Sequence, residues 1–208
     1  MRISISNREA QEILISVIAI SLALAVNQIG IVNIGEEMGA FVSVASFFLV
    51  ALGIGFILHE MAHKFTANFF GHYAEFRMWT QGLGFMFLLA ALPTRFMFIA
   101  PGAVYIHGYG RPISKTENGI ISIAGPVTNV VIAIIAIAAL FITGPFALGT
   151  LGGVELWSSV AWINTFLALF NLLPIYPLDG SKVLAWNPVV YGAFGVFTLL
   201  LFFTFGGF

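Results

Sequence analysis

The five residues His59-Glu60-Met61-Ala62-His63 form an H-E-x-x-H pattern. In a helix of ~3.6 residues per turn, positions i and i+4 share a face, so both imidazoles can point at one ion. Glu60 is offset from His59 by about 100° and belongs beside such an ion rather than on it. A carboxylate there can take a proton from water as it attacks a carbonyl, then return it to the leaving amine. Zinc is the metal this pattern suits, and it lowers the pKa of a bound water to about 7. The same pattern also arises in soluble helices as an ordinary polar face. Here it follows the almost wholly apolar run Phe41 to Leu58. Ionisable groups near or within a membrane are costly and usually functional.

A catalytic zinc site takes a third protein ligand and keeps one position open for water. Asp179 is the only aspartate in the chain, and Glu75, Glu117 and Glu155 are the acidic alternatives. Choosing among them requires the elements that would carry them.

Of the 208 residues, 60% are hydrophobic and 8% charged, against about a quarter charged in a soluble domain. Several stretches reach the ~20 apolar residues needed to cross a ~30 Å hydrocarbon layer, so the chain reads as an all-α polytopic membrane protein. Helices are expected at about 10–33, 40–70, 118–142, 157–182 and 187–206. A sixth apolar region, 78–106, is interrupted at Pro93-Thr94-Arg95 and Pro101-Gly102, giving about six membrane segments. Gly102 to Ile106 reads as a short strand, so that region is a re-entrant element or a β-hairpin held against the protein. Short Gly- and Pro-marked connections point to one domain over 1–208, with a three-helix core at about 40–182 and accessory segments at 10–33 and 187–206. The start, MRISISNREAQE, lacks the features of a signal peptide, so the first membrane segment is expected to stay in the mature chain. A net charge of −1 gives no basic field for nucleic acid, and the absence of Cys excludes disulfides and thiolate ligands.

Orientation follows from basic residues. Loops at Gly35-Glu36-Glu37 and from Thr143 to Glu155 hold no Lys or Arg, whereas Arg2, Arg8, Lys64, Arg77, Arg95, Arg111, Lys115 and Lys182 fall at the opposite ends. The N-terminus is therefore expected in the cytoplasm, in a multi-pass protein of the cell membrane. Ala40 to His59 is 19 residues, about 28 Å of helix. Leu156 to Asp179 is 23 residues, roughly 30–35 Å for a helix interrupted by Pro174 and Pro177. Both groups arrive near the cytoplasmic edge, which favours Asp179 as third ligand over its other reading as a helix-ending Asp-Gly turn. The two prolines free carbonyls one turn earlier, a state tolerated at depth only inside protein or beside water.

Three motifs together resemble the site-2 protease family of intramembrane metalloproteases: His59 to His63, Gly125-Pro126-Val127-Thr128-Asn129, and Asn171-Leu172-Leu173-Pro174 through Leu178-Asp179-Gly180. The resemblance covers about residues 40 to 182. It implies one catalytic zinc on His59, His63 and Asp179, with Glu60 activating water. It also implies single-pass membrane proteins as substrates, cut within a transmembrane helix near the cytoplasmic side of the bilayer. Asn171 matches a family asparagine that contacts substrate or the developing oxyanion, or else bonds between helices. Asn129 takes a structural role, and Gly102 to Ile106 could receive an unwound substrate by strand addition.

His72 is expected at the interface and His107 on the surface, with Trp79, Trp157, Trp162 and Trp186 as interfacial anchors or packing. Two other readings stand: a prenyl-protein-type zincin using Glu117, and a non-catalytic metal-binding or ion-transporting protein. Few charged residues lie along the other helices to form an ion relay.

Overall fold

The computed structural model describes residues 4–94, 97–99, 101–108, 110–144, 150–151 and 154–205. The chain is mostly helical: α1 (Asn7–Ile29), α2 (Met38–Phe69), α3 (Thr80–Ala91), α4 (Lys115–Thr143), α5 (Leu156–Asn171), α6 (Asp179–Trp186) and α7 (Pro188–Phe205). Strands β1 (Tyr73–Met78) and β2 (Gly102–His107) pair antiparallel, with Phe76 opposite Val104. A second small ladder joins β3 (Thr150–Leu151) to β4 (Val154–Glu155) just before α5. Among the described residues α1, α2, α4 and α7 are long and apolar enough to cross a membrane.

Local chemistry sets the boundaries. Ser6 caps α1 through the Glu9 backbone N–H, and Ser114 with Glu117 forms a reciprocal capping box on α4. Glu155 caps α5 by accepting from the N–H groups of Trp157 and Ser158. The helix expected over 157–182 ends instead at Asn171. Neither Pro174 nor Pro177 can donate to a carbonyl one turn back, so the chain turns and restarts as α6 with Asp179 in its first turn.

α4 lies at the centre, packed against α2, α5 and α6, while α1 packs along α2. The largest apolar cluster joins Ile20 of α1, Leu52 and Phe56 of α2, Phe76 of β1 and Met86 of α3. α7 buries only Thr198 among its described residues, leaving an apolar surface suited to lipid.

The interrupted region 78–106 is resolved as a β-α-β insertion. α3 fills the space between the two strands in sequence, and the Trp79 N–H donates to Pro101 O at 2.8 Å to close the neck. At 12 residues α3 is about 18 Å long, short of a hydrocarbon layer.

The outer edge of β1 is closed by α1. The Phe76 N–H donates to Glu9 Oε1 at 3.0 Å and the Met78 N–H to Glu12 Oε2 at 2.9 Å. Glu9 also pairs with Lys64 of α2, both almost completely buried. Because Phe76 and Met78 point their N–H groups at α1, the ladder to β2 runs through the alternate residues of β1. The groups of Gly102, Val104 and Ile106 therefore face the other edge of β2.

Candidate metal centre

Along α2, Gly55, His59 and His63 recur at intervals of four and form one row. Along α4, Ile121, Gly125 and Asn129 form another. The two rows face each other in opposite directions. His63 Nδ1 lies 2.7 Å from Ile121 O, and His59 Nδ1 lies 2.5 Å from Asn129 Oδ1. Gly125 sits between them: a Cβ there would be 2.5 Å from the Nε2 atoms of both histidines. Only glycine allows the helices this approach with the imidazoles in place.

Asp179 comes from α6, where its first-turn position suits a carboxylate because helix N-termini carry partial positive charge. Its Oδ2 is 3.3 Å from His59 Nε2 and 3.1 Å from His63 Nε2, and the two Nε2 atoms are 3.0 Å apart. All three residues are buried. Gly180 lets α6 reach this place, since a Cβ there would collide with the Leu172 carbonyl. Lys182 Nζ lies 3.6 Å from Asp179 Oδ1, the oxygen turned away from the histidines.

These atoms could hold a metal ion, and their hydrogen bonding tests whether the donor set fits one. Both Nδ1 atoms face carbonyl oxygens, which only accept, so each Nδ1 carries the proton. Each neutral ring then presents a bare lone pair at Nε2. Two lone pairs at 3.0 Å with a carboxylate oxygen beside them repel one another unless a cation sits among them. Zinc with ligands at ~2.0–2.2 Å in a tetrahedron would space them by about 3.3 Å, close to what is found. The residues fit a zinc ion.

Glu60 is buried next to this group, and the backbone N–H of Val104 on the outer edge of β2 faces its carboxyl group. Asn171 ends α5, and its amide donates to Leu167 O on the same helix at 3.0 Å. The structure thus brings together His59, His63, Asp179 and Glu60, with Asn171 engaged on its own helix.

The alternative acidic residues lie elsewhere. Glu75 accepts from the Tyr73 hydroxyl at 2.8 Å and pairs with Arg77, and these partners hold its carboxyl below the usual range. Glu117 pairs with Arg111 and closes its capping box, and Glu155 caps α5. His72 is fully buried rather than interfacial, with Nε2 3.5 Å from Glu117 Oε2. His107 ends β2 and is exposed.

Asn129 is the residue sequence reasoning undervalued. It is buried and positions His59 directly. Its four-residue spacing from Gly125 was visible, but nothing in the sequence says which face of α4 meets α2.

A helical membrane chain with H-E-x-x-H and a convergent aspartate defines the class of membrane zinc metalloproteases. Known proteins agree. The model of peptidase family M50 matches residues 142–186, which contain α5 and Asp179. The candidate zinc metalloprotease MJ0611 of Methanocaldococcus jannaschii is 40% identical over 195 residues, 92% of this chain and 91% of that protein. The candidate zinc metalloprotease YwhC of Bacillus subtilis is 29% identical over 68% of this chain and 69% of its own length. The candidate zinc metalloprotease Rip2 of Mycobacterium tuberculosis is 33% identical over 70% of this chain and 57% of its own length. No solved structure matches. The chain belongs to peptidase family M50, the site-2 protease family.

Proposed function

We propose that this membrane metalloprotease is an intramembrane endopeptidase holding one zinc on His59, His63 and Asp179, which cuts transmembrane helices of single-pass proteins near the cytoplasmic side. The observation that carries it is the convergence of three buried donors at 3.0–3.3 Å, with both Nδ1 protons committed elsewhere. When bound, zinc supplies a water of lowered pKa and polarises the scissile carbonyl.

The remaining work falls to the chain itself. Glu60 takes the proton of the attacking water and passes it to the departing amine. The Val104 N–H faces its carboxyl group, and in this reading helps to orient it. The outer edge of β2, from Gly102 to Ile106, offers backbone groups that an unwound substrate can pair with as an added strand. Asn171 lies just ahead of the Pro-marked turn into Asp179, and in this reading it swings its amide from Leu167 toward the substrate carbonyl.

The chain sits in the cell membrane with its N-terminus cytoplasmic. α1, α2, α4 and α7 cross it, and α5 with the turn 172–178 descends to the level of the histidines. α3 dips in and returns within the β1–α3–β2 insertion, which completes about six segments. The clustering of Lys64, Arg77, Arg111 and Lys182 near the site end of the helices supports this orientation.

The test is cleavage of single-pass candidate substrates by the purified protein in bilayers, with metal analysis. Glu60→Gln should keep stoichiometric zinc and lose cleavage by roughly 10²–10⁴-fold, whereas Asp179→Ala should lose zinc. Unchanged cleavage by Glu60→Gln would sink the mechanism.

A further inference from the structure

The hydrogen bond on His59 does not stop at Asn129. Asn129 donates from Nδ2 to Asn164 Oδ1 of α5 at 2.9 Å and to Gly55 O of α2 at 3.2 Å. Asn164 in turn donates from its own Nδ2 to Val160 O, one turn back on α5, at 2.9 Å. Asn129 and Asn164 are both completely buried. The three core helices are thus joined by a continuous polar chain ending on a metal-directed imidazole.

The direction of that chain matters. An amide has a donating and an accepting end of nearly the same shape, so each asparagine could in principle be reversed. A backbone carbonyl cannot: it only accepts. Val160 O therefore demands the NH2 end of Asn164, which turns Asn164 Oδ1 toward Asn129. That oxygen, with Gly55 O, demands the NH2 end of Asn129, which turns Asn129 Oδ1 toward His59. His59 must then carry its proton on Nδ1 and present a lone pair at Nε2. Reversal of Asn129 would place an NH2 group against Nδ1, move the proton to Nε2 and abolish the ligand.

Gly55 O alone is a weak anchor for this orientation. Its contact with Asn129 is the longer of the two. Asn164 supplies the shorter bond, and it fits tightly: a Cβ on Gly55 would overlap the Asn164 side chain.

We propose that Asn164 is a positioning residue for the metal centre: acting through Asn129, it fixes the imidazole tautomer in which His59 can bind zinc. The inference rests on His59 being a ligand. It assigns a function to a residue 15 positions ahead of Asp179 that touches neither metal donor nor substrate.

The experiment measures zinc affinity of the purified full-length protein by competition with a chromogenic chelator, with cobalt-substituted absorption spectra alongside. Loss of an outer partner of a metal-bound histidine typically weakens binding 10–100-fold. Asn129→Leu is expected in that range. Asn164→Leu, one bond further out with Gly55 O still present, is expected near the lower end, with an altered cobalt spectrum. Asn164→Asp restores the relay, since a neutral buried carboxyl group donates to Val160 O and accepts from Asn129, so its affinity should return close to the parent's. Asn129→Leu with Asn164→Leu should be no weaker than Asn129→Leu alone, because the two act in series. Parental affinity in Asn164→Leu, full addition of the two losses, or no recovery in Asn164→Asp would each overturn the proposal. His59→Ala with parental affinity would instead overturn the ligand assignment beneath it.

Discussion

Gly125→Ala sets helix propensity directly against the geometry of the site. In a helix interior, alanine is favoured over glycine by about 1 kcal/mol, so the substitution should strengthen α4 taken alone. At Gly125, however, the new methyl group would lie 2.5 Å from both Nε2 atoms and 2.6 Å from His59 Cε1, where ordinary contact begins at 3.4 Å. Something must yield by about 1 Å. Neither imidazole can turn aside freely, because Asn129 and Ile121 hold their Nδ1 atoms. A misplacement of that size costs roughly 100-fold in catalysis. Gly125→Ala should therefore cost the zinc-free protein about 1–3 kcal/mol despite the gain in helix propensity, while zinc affinity and cleavage fall about 100-fold. Thermal denaturation of the zinc-free protein, chelator competition and a cleavage assay read the three quantities. Parental zinc affinity would refute the close-packing argument. A zinc-free protein as stable as the parent would show that the imidazoles turn aside without cost, and would refute it equally.

Three further outcomes follow from other parts of the structure. Lys64→Met or Glu9→Gln alone strands a buried partner and should cost roughly 3–5 kcal/mol in thermal denaturation, whereas the two together should recover most of it; simple addition of the losses would show that the ion pair is not coupled. Val104→Pro removes the N–H that faces Glu60 while sparing the ladder to β1, so zinc content should hold as cleavage falls at least about tenfold; parental cleavage would show that this N–H does not orient Glu60. Because a helical peptide bond is sequestered by its own hydrogen bonding, Gly or Pro introduced near the scissile bond of a substrate helix should raise its cleavage rate, and a series in which none does would refute the need for unwinding.

How far the sequence spoke depended on the range of the forces involved. The catalytic helix was legible because Phe41 to Leu58 is a long apolar run and H-E-x-x-H has helical spacing. Asp179 was found by counting helix rise, although the count assumed a kinked helix through Pro174 and Pro177 where the chain breaks and restarts. Strand β1 was not legible. Its sequence, YAEFRM, does not alternate cleanly, and two of its N–H groups find acceptors on Glu9 and Glu12, more than sixty residues earlier. The burial of His72 was missed for a related reason: it depends on α4 and Glu117 lying over it.

The site's buried polar groups also explain why it should be so exactingly held. Burial withholds bulk water from a misplaced donor or acceptor, and each unsatisfied group costs several kcal/mol. Every group directed at the metal is accordingly tied to something that cannot move independently. His63 is tied to the Ile121 carbonyl, His59 to the Asn129 amide, and Asp179 to the first turn of α6. Even Lys64, next to His63, is held by Glu9, which also takes the Phe76 N–H, so α1 and the hairpin are bound to α2 at the level of His59 and His63. With the β1 edge closed by α1, the proposed pairing with an extended peptide falls to the edge of β2 beside Glu60. The need to satisfy buried polar groups thus fixes the geometry of His59, His63 and Asp179.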